Sequence, residues 1–299
     1  MTPDAATAVG GTLFDTEFLR QLELLRFVSK QVQPGQIRGE HRAKRRGSGL
    51  QFADYRPYVA GDDTRHVDWG AYLRLGRLVM RLFEEEADLP IDLLVDASHS
   101  MSTGDPAKFD QARRLAGALG YIGLLNHDRV RVVAFSTGAM EELPRRRGPN
   151  QVWPTLRFLD RLHAHGGTSL RTGLDGCLAP RRRNGLLVLI SDLLDPEGFE
   201  PAFDRLRPRG EDVFVLHVSS PGDIDPSLED EALLEDSESG DSLRVTPPLR
   251  ERYLELRAEH CESIERYCNR YGWGYVHAGS DERFEELVMQ VLRSHRFVR

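Results

Sequence analysis

From Pro90 onward the sequence predicts an α/β fold, a doubly wound and mostly parallel sheet, on three observations. Short, almost wholly apolar runs recur, as strands buried on both faces require. Stretches with helical spacing of apolar residues lie between them. Several runs end in carboxylates and hydroxyls, at the rim where open parallel sheets bind ligands.

The apolar runs are IDLLVDAS from Ile91, VRVVAFS from Val130, GLLVLISD from Gly185, DVFVLHV from Asp212 and GWGYVHAG from Gly272. Between the first two, Phe109, Ala112, Ala116, Leu119 and Ile122 mark one helical face, and Asn126-His127 supplies its stop. Thr137-Gly138 followed by AMEELP predicts an antiparallel edge strand. Val152, Leu156, Leu159 and Leu162 predict the next helix, and further helices are expected over 168–178, 199–207, 249–271 and 281–295. An acidic, turn-rich insertion at about 219–248 holds a hairpin in which ALLED and SLRVT flank SESGD.

Ahead of this domain, residues 1–13 read as a disordered start, and 14–89 as a helix, a basic loop and a small β-rich extension. The helix places Phe18, Leu19, Leu22, Leu25 and Val28 on one face, with Asp15 or Thr16 as cap. GQIRGEHRAKRRGSG lacks apolar periodicity and reads as the loop; LQFADYRPY, a turn-rich GDDTRHVDW and GRLVMRLFEEE make the extension.

A chain of 299 residues with 40% hydrophobic content has enough apolar material for one large domain or two modest ones. Its net charge of -7 and pI near 5.8 argue against general attraction to nucleic acid and favour protein partners. Cys177, Cys261 and Cys268 form no C-x-x-C pair, which fits a reducing compartment. Neither a signal peptide nor a membrane-spanning stretch is legible, so a cytoplasmic protein without membrane insertion is expected.

Three segments carry the candidate chemistry. The first strand runs into Asp96-Ala97-Ser98-His99-Ser100, a glycine-led loop brings Thr168 to a helix start, and GLLVLISD ends at Ser191-Asp192. Two carboxylates with neutral hydroxyls suit a small hard cation such as Mg²⁺, with Mn²⁺ as substitute. Nearby helix amino termini add partial positive charge that favours an acidic ligand from outside.

This D-x-S-x-S, G-G-T and strand-terminal Asp arrangement resembles the metal-ion-dependent adhesion site of von Willebrand factor type A domains. The resemblance implies that Asp96, Ser98, Ser100, Thr168 and Asp192 hold the metal and that a partner's Asp or Glu completes its shell. A second resemblance covers residues 36–299: GSGLQFADYRPYVAGDDTRHVDW is similar to the signature of the bacterial domain of unknown function 58. It implies an association with MoxR-class AAA ATPases, and hence a non-enzymatic adaptor or assembly and maturation factor for that ATPase or its client.

Other readings compete. A metal-dependent phosphohydrolase using Asp96 as nucleophile would have a second Asp where Ser98 stands, and a serine hydrolase would have a glycine-flanked elbow. A nucleic-acid-binding factor would interleave aromatics with its basic runs, which those around 42–46, 145–147 and 181–183 do not. These are expected to be solvated loops or docking points for an acidic surface. The motif Arg56, Gly61, Asp62, Asp63, Arg65, Asp68 and Trp69 could be a second metal or acid–base site, but capping and Arg–Asp pairing make a structural or partner-facing latch the expectation. His163 and His165 are expected to be loop residues, and Cys261 and Cys268 packing residues.

Overall fold

The computed structural model describes residues 13–32, 51–59, 64, 67–84, 89–178, 185–209, 211–224, 233–235, 242–244 and 246–293. They fall into two compact units: the segment between 33 and 88, and the rest of the chain, including the N-terminal helix. The expected disordered start, basic loop and Arg181–Arg183 run lie outside the described residues.

The larger unit is the doubly wound sheet that the sequence predicts. In chain order it holds α1 (Thr16–Val32), β3 (Pro90–Asp96), α3 (Lys108–Leu125), β4 (Arg129–Ser136), β5 (Ala139–Arg147), α4 (Val152–Arg161) and α5 (Leu170–Cys177). Next come β6 (Leu186–Ser191), α6 (Glu200–Leu206), β7 (Asp212–Ser219), α7 (Pro221–Ile224), α8 (Pro247–Arg270), β10 (Gly274–Gly279) and α9 (Phe284–Arg293). A hairpin of β8 (Leu233–Glu235) and β9 (Ser242–Arg244) interrupts the series where the insertion was expected.

The six strands lie in the order β10-β7-β6-β3-β4-β5, and only the edge strand β5 is antiparallel. Successive side chains of a strand point to opposite faces, so each apolar run feeds two cores. Leu93 and Val95 join one, with α1, α3, α4 and α9; Leu94 joins the other, with α5, α6 and α8. Such two-sided burial is why the runs are apolar throughout instead of alternating.

Chain order starts at β3, moves outward to β4 and β5, then returns to β6 on the other side of β3. The direction of winding therefore reverses between β3 and β6, and a crevice opens beyond their carboxyl ends.

Helix α1 starts as the sequence predicts, with Asp15 Oδ1 accepting Phe18 N–H at 2.8 Å. Its buried residues Phe18 and Leu22, with Phe14 just ahead of it, join the core of the larger unit, where the Phe18 and Phe284 rings lie 4.8 Å apart. Fully burying one such side chain contributes roughly 1.5–3 kcal/mol.

In the smaller unit β1 (Gln51–Pro57) pairs antiparallel with β2 (Val79–Glu84), and between them lies a helix, α2 (Trp69–Leu75), that the β-rich reading missed. Two local signals bracket it: the Asp68 side chain accepts Ala71 N–H at 2.9 Å, and Gly76 ends it at φ 64°. Asp68 Oδ2 also accepts the Tyr55 hydroxyl at 2.8 Å, tying α2 to β1.

The basic residues 145–147 are a second correction, since they stand on β5 and not in a loop. Arg145 Nη2 contacts both oxygens of the buried Asp92 at 2.7 Å, and Arg147 Nε donates to His127 O at 2.9 Å. Arg145 is thus an internal counter-charge to Asp92, a pairing that depends on register and leaves no local trace in the sequence, whereas Arg146 and Arg147 are exposed.

Candidate metal centre

The three predicted segments meet at the crevice. Asp96 ends β3, Asp192 follows β6 directly, and Ser98 and Ser100 lie in and beside a 3-10 turn (His99–Ser102). Thr168 sits one residue before Ser169, the cap of α5. Backbone hydrogen bonds lash the segments together: His99 N–H to Gly166 O at 2.8 Å, His165 N–H to Ala97 O at 2.7 Å, and Thr137 N–H to Gly167 O at 3.0 Å. Gly166 stands at φ 76°, where a side chain would be strained.

The hydroxyls form a chain of contacts. Ser98 Oγ is 3.0 Å from Ser100 Oγ, which is 3.3 Å from Thr168 Oγ1. Adjacent oxygens around octahedral Mg²⁺, bound at about 2.0–2.1 Å, are about 2.9 Å apart. The spacing and the all-oxygen chemistry therefore fit a small hard cation. Asp96, Ser98 and Asp192 are buried, whereas Ser100 is half-buried and lies on the open side.

Both oxygens of Asp96 are engaged, Oδ1 by Ser98 N–H at 2.9 Å and Oδ2 by the Ser191 hydroxyl at 2.6 Å. Burial first, and then the charge of Asp192, push the Asp96 carboxyl up to about 7, against the donors Ser191 and Ser98. A divalent cation placed there would hold both carboxylates ionised.

The turn after Asp192 is strained. Leu193 is fully buried at φ 56°, in the left-handed region that costs a leucine about 1–2 kcal/mol. Ser191 Oγ helps hold it, accepting Leu193 N–H at 2.9 Å while donating to Asp96.

Sequence reasoning missed Lys108. Its side chain is 1% exposed, with Nζ 2.8 Å from Asp192 Oδ2 and 3.3 Å from Asp223 Oδ2. Burial alone would lower its pKa, but the Asp192 and Asp223 carboxylates raise it overall, so the ammonium stays charged. The available signal was weak: a lysine opening a helix faces the positive end of the dipole and needs an acid nearby.

Behind Asp192 lies a cleft of about 300 Å³, lined by Leu194, His217, Asp223, Tyr253, Arg257 and His260 among others. His217, Cys261 and His277 bring one ligand atom each within 4.8 Å of one another; Cys261 is half-buried, and Cys268 is buried in the core as expected. Hydrogen bonds already engage this cluster. His217 Nδ1 is 3.0 Å from Tyr275 Oη, and His277 Nε2 is 2.9 Å from Ser219 Oγ and 3.3 Å from the Arg257 guanidinium. Burial holds all three histidines, His217, His260 and His277, below their ordinary range. His163 and His165 stand in the loop before Gly166, as expected, with His165 Nδ1 2.8 Å from His163 O.

Of the second motif, Arg56 stands on β1, Asp68 caps α2 and the exposed Trp69 opens it. Gly61, Asp62, Asp63 and Arg65 lie outside the described residues.

The family model described as protein of unknown function DUF58 matches residues 54–263. The chain belongs to this family. A relative of this DUF58 chain, the uncharacterised protein Rv1480 of Mycobacterium tuberculosis, is 26% identical over 96% of the present chain and 92% of its own length. Among solved structures, BatB from Bacteroides thetaiotaomicron is similar at 18% identity and a TM-score of 0.42, over 68% of this chain and 96% of that one. The SpRpn10 VWA domain is similar at 12% identity and a TM-score of 0.38, over 68% of this chain and 95% of its own. Likeness at this level describes shape and says nothing of what the DUF58 chain binds. Among the described residues no helix is long and apolar enough to cross a membrane.

Proposed function

We propose that this DUF58 chain is a non-enzymatic, Mg²⁺-dependent protein-binding module, with Mn²⁺ able to replace Mg²⁺. The observation that carries the reading is the convergence of Ser98, Ser100 and Thr168 at 3.0 and 3.3 Å beside Asp96 and Asp192, at the point where winding reverses. Half-buried Ser100 offers neutral lone pairs toward solvent, Ser98 and Thr168 offer theirs from buried positions, and the two buried aspartates supply negative charge. A bound cation would provide an electrophilic position for one outside carboxylate, an Asp or Glu of a partner.

The chain's residues otherwise orient and exclude water. Ser191 and the Ser98 amide hold Asp96, and the Gly166 loop holds Thr168 in place. The earlier sequence resemblance makes a MoxR-class AAA ATPase, or its client, the partner to test, with the chain as adaptor or assembly factor. A phosphohydrolase reading gains nothing from the geometry, because both Asp96 oxygens are occupied by donors and Ser98 stands where a second acid would act.

The experiment is Mn²⁺ and Mg²⁺ titration of wild type and Asp96→Ala, with partner capture from the native host in the presence and absence of chelator. Metal binding lost in the variant, together with a chelator-sensitive ATPase in the captured set, is the expected result. Equal metal binding by both proteins, or identical partners in every condition, overturns the reading. Turnover of generic phosphoesters with Mn²⁺ would establish the enzymatic alternative.

A further inference from the structure

We propose that Lys108 is the resident counter-charge of this centre, lowering its affinity for the cation and raising the attraction of the loaded centre for a carboxylate. The inference rests on the reading that the site takes a divalent cation.

The placement of Lys108 is costly by itself. Its side chain is 1% exposed, and it opens α3, where the helix dipole is positive. An isolated ammonium is strongly disfavoured in such a position unless carboxylates face it. Two do, Asp192 Oδ2 at 2.8 Å and Asp223 Oδ2 at 3.3 Å. Asp223 is itself fixed, since its Oδ2 accepts Ser220 N–H at 2.8 Å. The ammonium is thus built into the fold and touches a proposed metal residue directly.

The sign of its effect follows from charge alone. With a cation bound and both carboxylates ionised, Asp96 and Asp192 bring two negative charges to the centre; Lys108, shared between Asp192 and Asp223, brings one positive charge within contact distance. A cation arriving at the hydroxyls meets a field weaker by one unit than the same residues would give without the lysine. Once the cation is in place, the centre is one unit more positive than it would otherwise be. A carboxylate from outside is drawn correspondingly more strongly. Cation affinity is traded for anion affinity, which suits a site whose last ligand must come from a partner.

A purely structural role predicts the opposite sign. If Lys108 only straps the end of β6 to the segment after β7, removing it loosens Asp192 and weakens metal binding. The test is calorimetric Mn²⁺ titration of wild type, Lys108→Met and Lys108→Gln, each with and without excess acetate as the carboxylate probe. Melting temperatures are measured with and without Mn²⁺. Lys108→Gln keeps a donor for Asp192 and gives the same comparison in a less perturbed fold.

The expected result is Mn²⁺ affinity about tenfold higher in both variants, and a melting temperature raised by Mn²⁺ more than in wild type. Acetate should tighten Mn²⁺ binding in wild type and do so less in the variants. Variants that bind Mn²⁺ equally or more weakly, or that respond to acetate as wild type does, overturn the inference while leaving the metal reading intact. If neither wild type nor variants bind Mn²⁺, both fall.

Discussion

Ser191 Oγ donates to Asp96 Oδ2 across 2.6 Å, joining the ends of the two strands between which the winding of the sheet reverses. The same oxygen accepts the Leu193 amide, so one hydroxyl holds a carboxylate and the strained turn after Asp192 together. Both contacts are buried, and a hydrogen bond to a charged group lost there leaves two groups unsatisfied. Ser191→Ala should therefore cost about 1.5–3 kcal/mol by denaturant unfolding. A variant as stable as wild type would show that the turn is held by other means.

Asp92 gives a test remote from the crevice. Burial raises its carboxyl above the ordinary range, although Arg145 and Arg131 pull it down. Asp92→Ala would leave the Arg145 and Arg131 guanidinium groups facing no charge at this position, at a cost of about 3 kcal/mol. The double replacement Asp92→Leu with Arg145→Met should recover much of that loss. Mn²⁺ binding by the folded fraction is expected to be unchanged, which separates this ion pair from the site.

The depressed histidines set a pH dependence. His217 is buried, and desolvation, with His277 and His260 next in effect, holds its pKa well below 6.5. In the unfolded chain it takes up a proton below about pH 6.5. The unfolded state then binds more protons than the native state, so stability falls as pH drops below 6.5, by up to ~1.4 kcal/mol per pH unit for one proton. Asp96 acts in the opposite sense: its folded pKa of about 7 lies above the unfolded value, so its contribution declines as pH rises from about 4 to 7. The measurement is thus the difference between wild type and His217→Gln, followed from pH 7.5 to 5.5. The variant should lose less stability on acidification, and parallel curves would exclude a neutral buried His217.

Gly173 tests the link between packing and site. A β-carbon there would lie 2.2 Å from the Phe135 ring, so Gly173→Ala must push α5 away from β4. Overpacking of this kind costs about 1–3 kcal/mol. Because Thr168 leads into α5, Mn²⁺ affinity should fall as well. A drop in stability with unchanged Mn²⁺ affinity would mean that Thr168 is held by its loop alone.

Much of the fold was legible because burial repeats at short range. The runs beginning at Ile91, Val130, Gly185 and Asp212 are apolar on both faces, and each became a strand between two helical layers. The helix Trp69–Leu75 was overlooked because GDDTRHVDW is dense in turn residues, although Asp68 and Gly76 marked its ends. The five candidate metal residues were legible for a similar reason: Asp96 and Asp192 stand at strand ends, Ser98 and Ser100 in the turn that follows the first strand, and Thr168 just ahead of a helix start.

What the sequence determined by itself, then, is the rhythm of buried strands and the residue types at their carboxyl ends, because both follow from spacing along a few neighbouring positions. Tertiary structure alone decided the pairings across the chain. Lys108 meets Asp192 from 84 positions away, Arg145 meets Asp92 from 53, and Ser191 meets Asp96 from 95. No local pattern encodes such contacts, since they depend on strand order and on how deeply each helix packs. The charge of the centre is set by the same packing, because the nearest cation to Asp192 comes from a helix that sequence reading assigned only to the core.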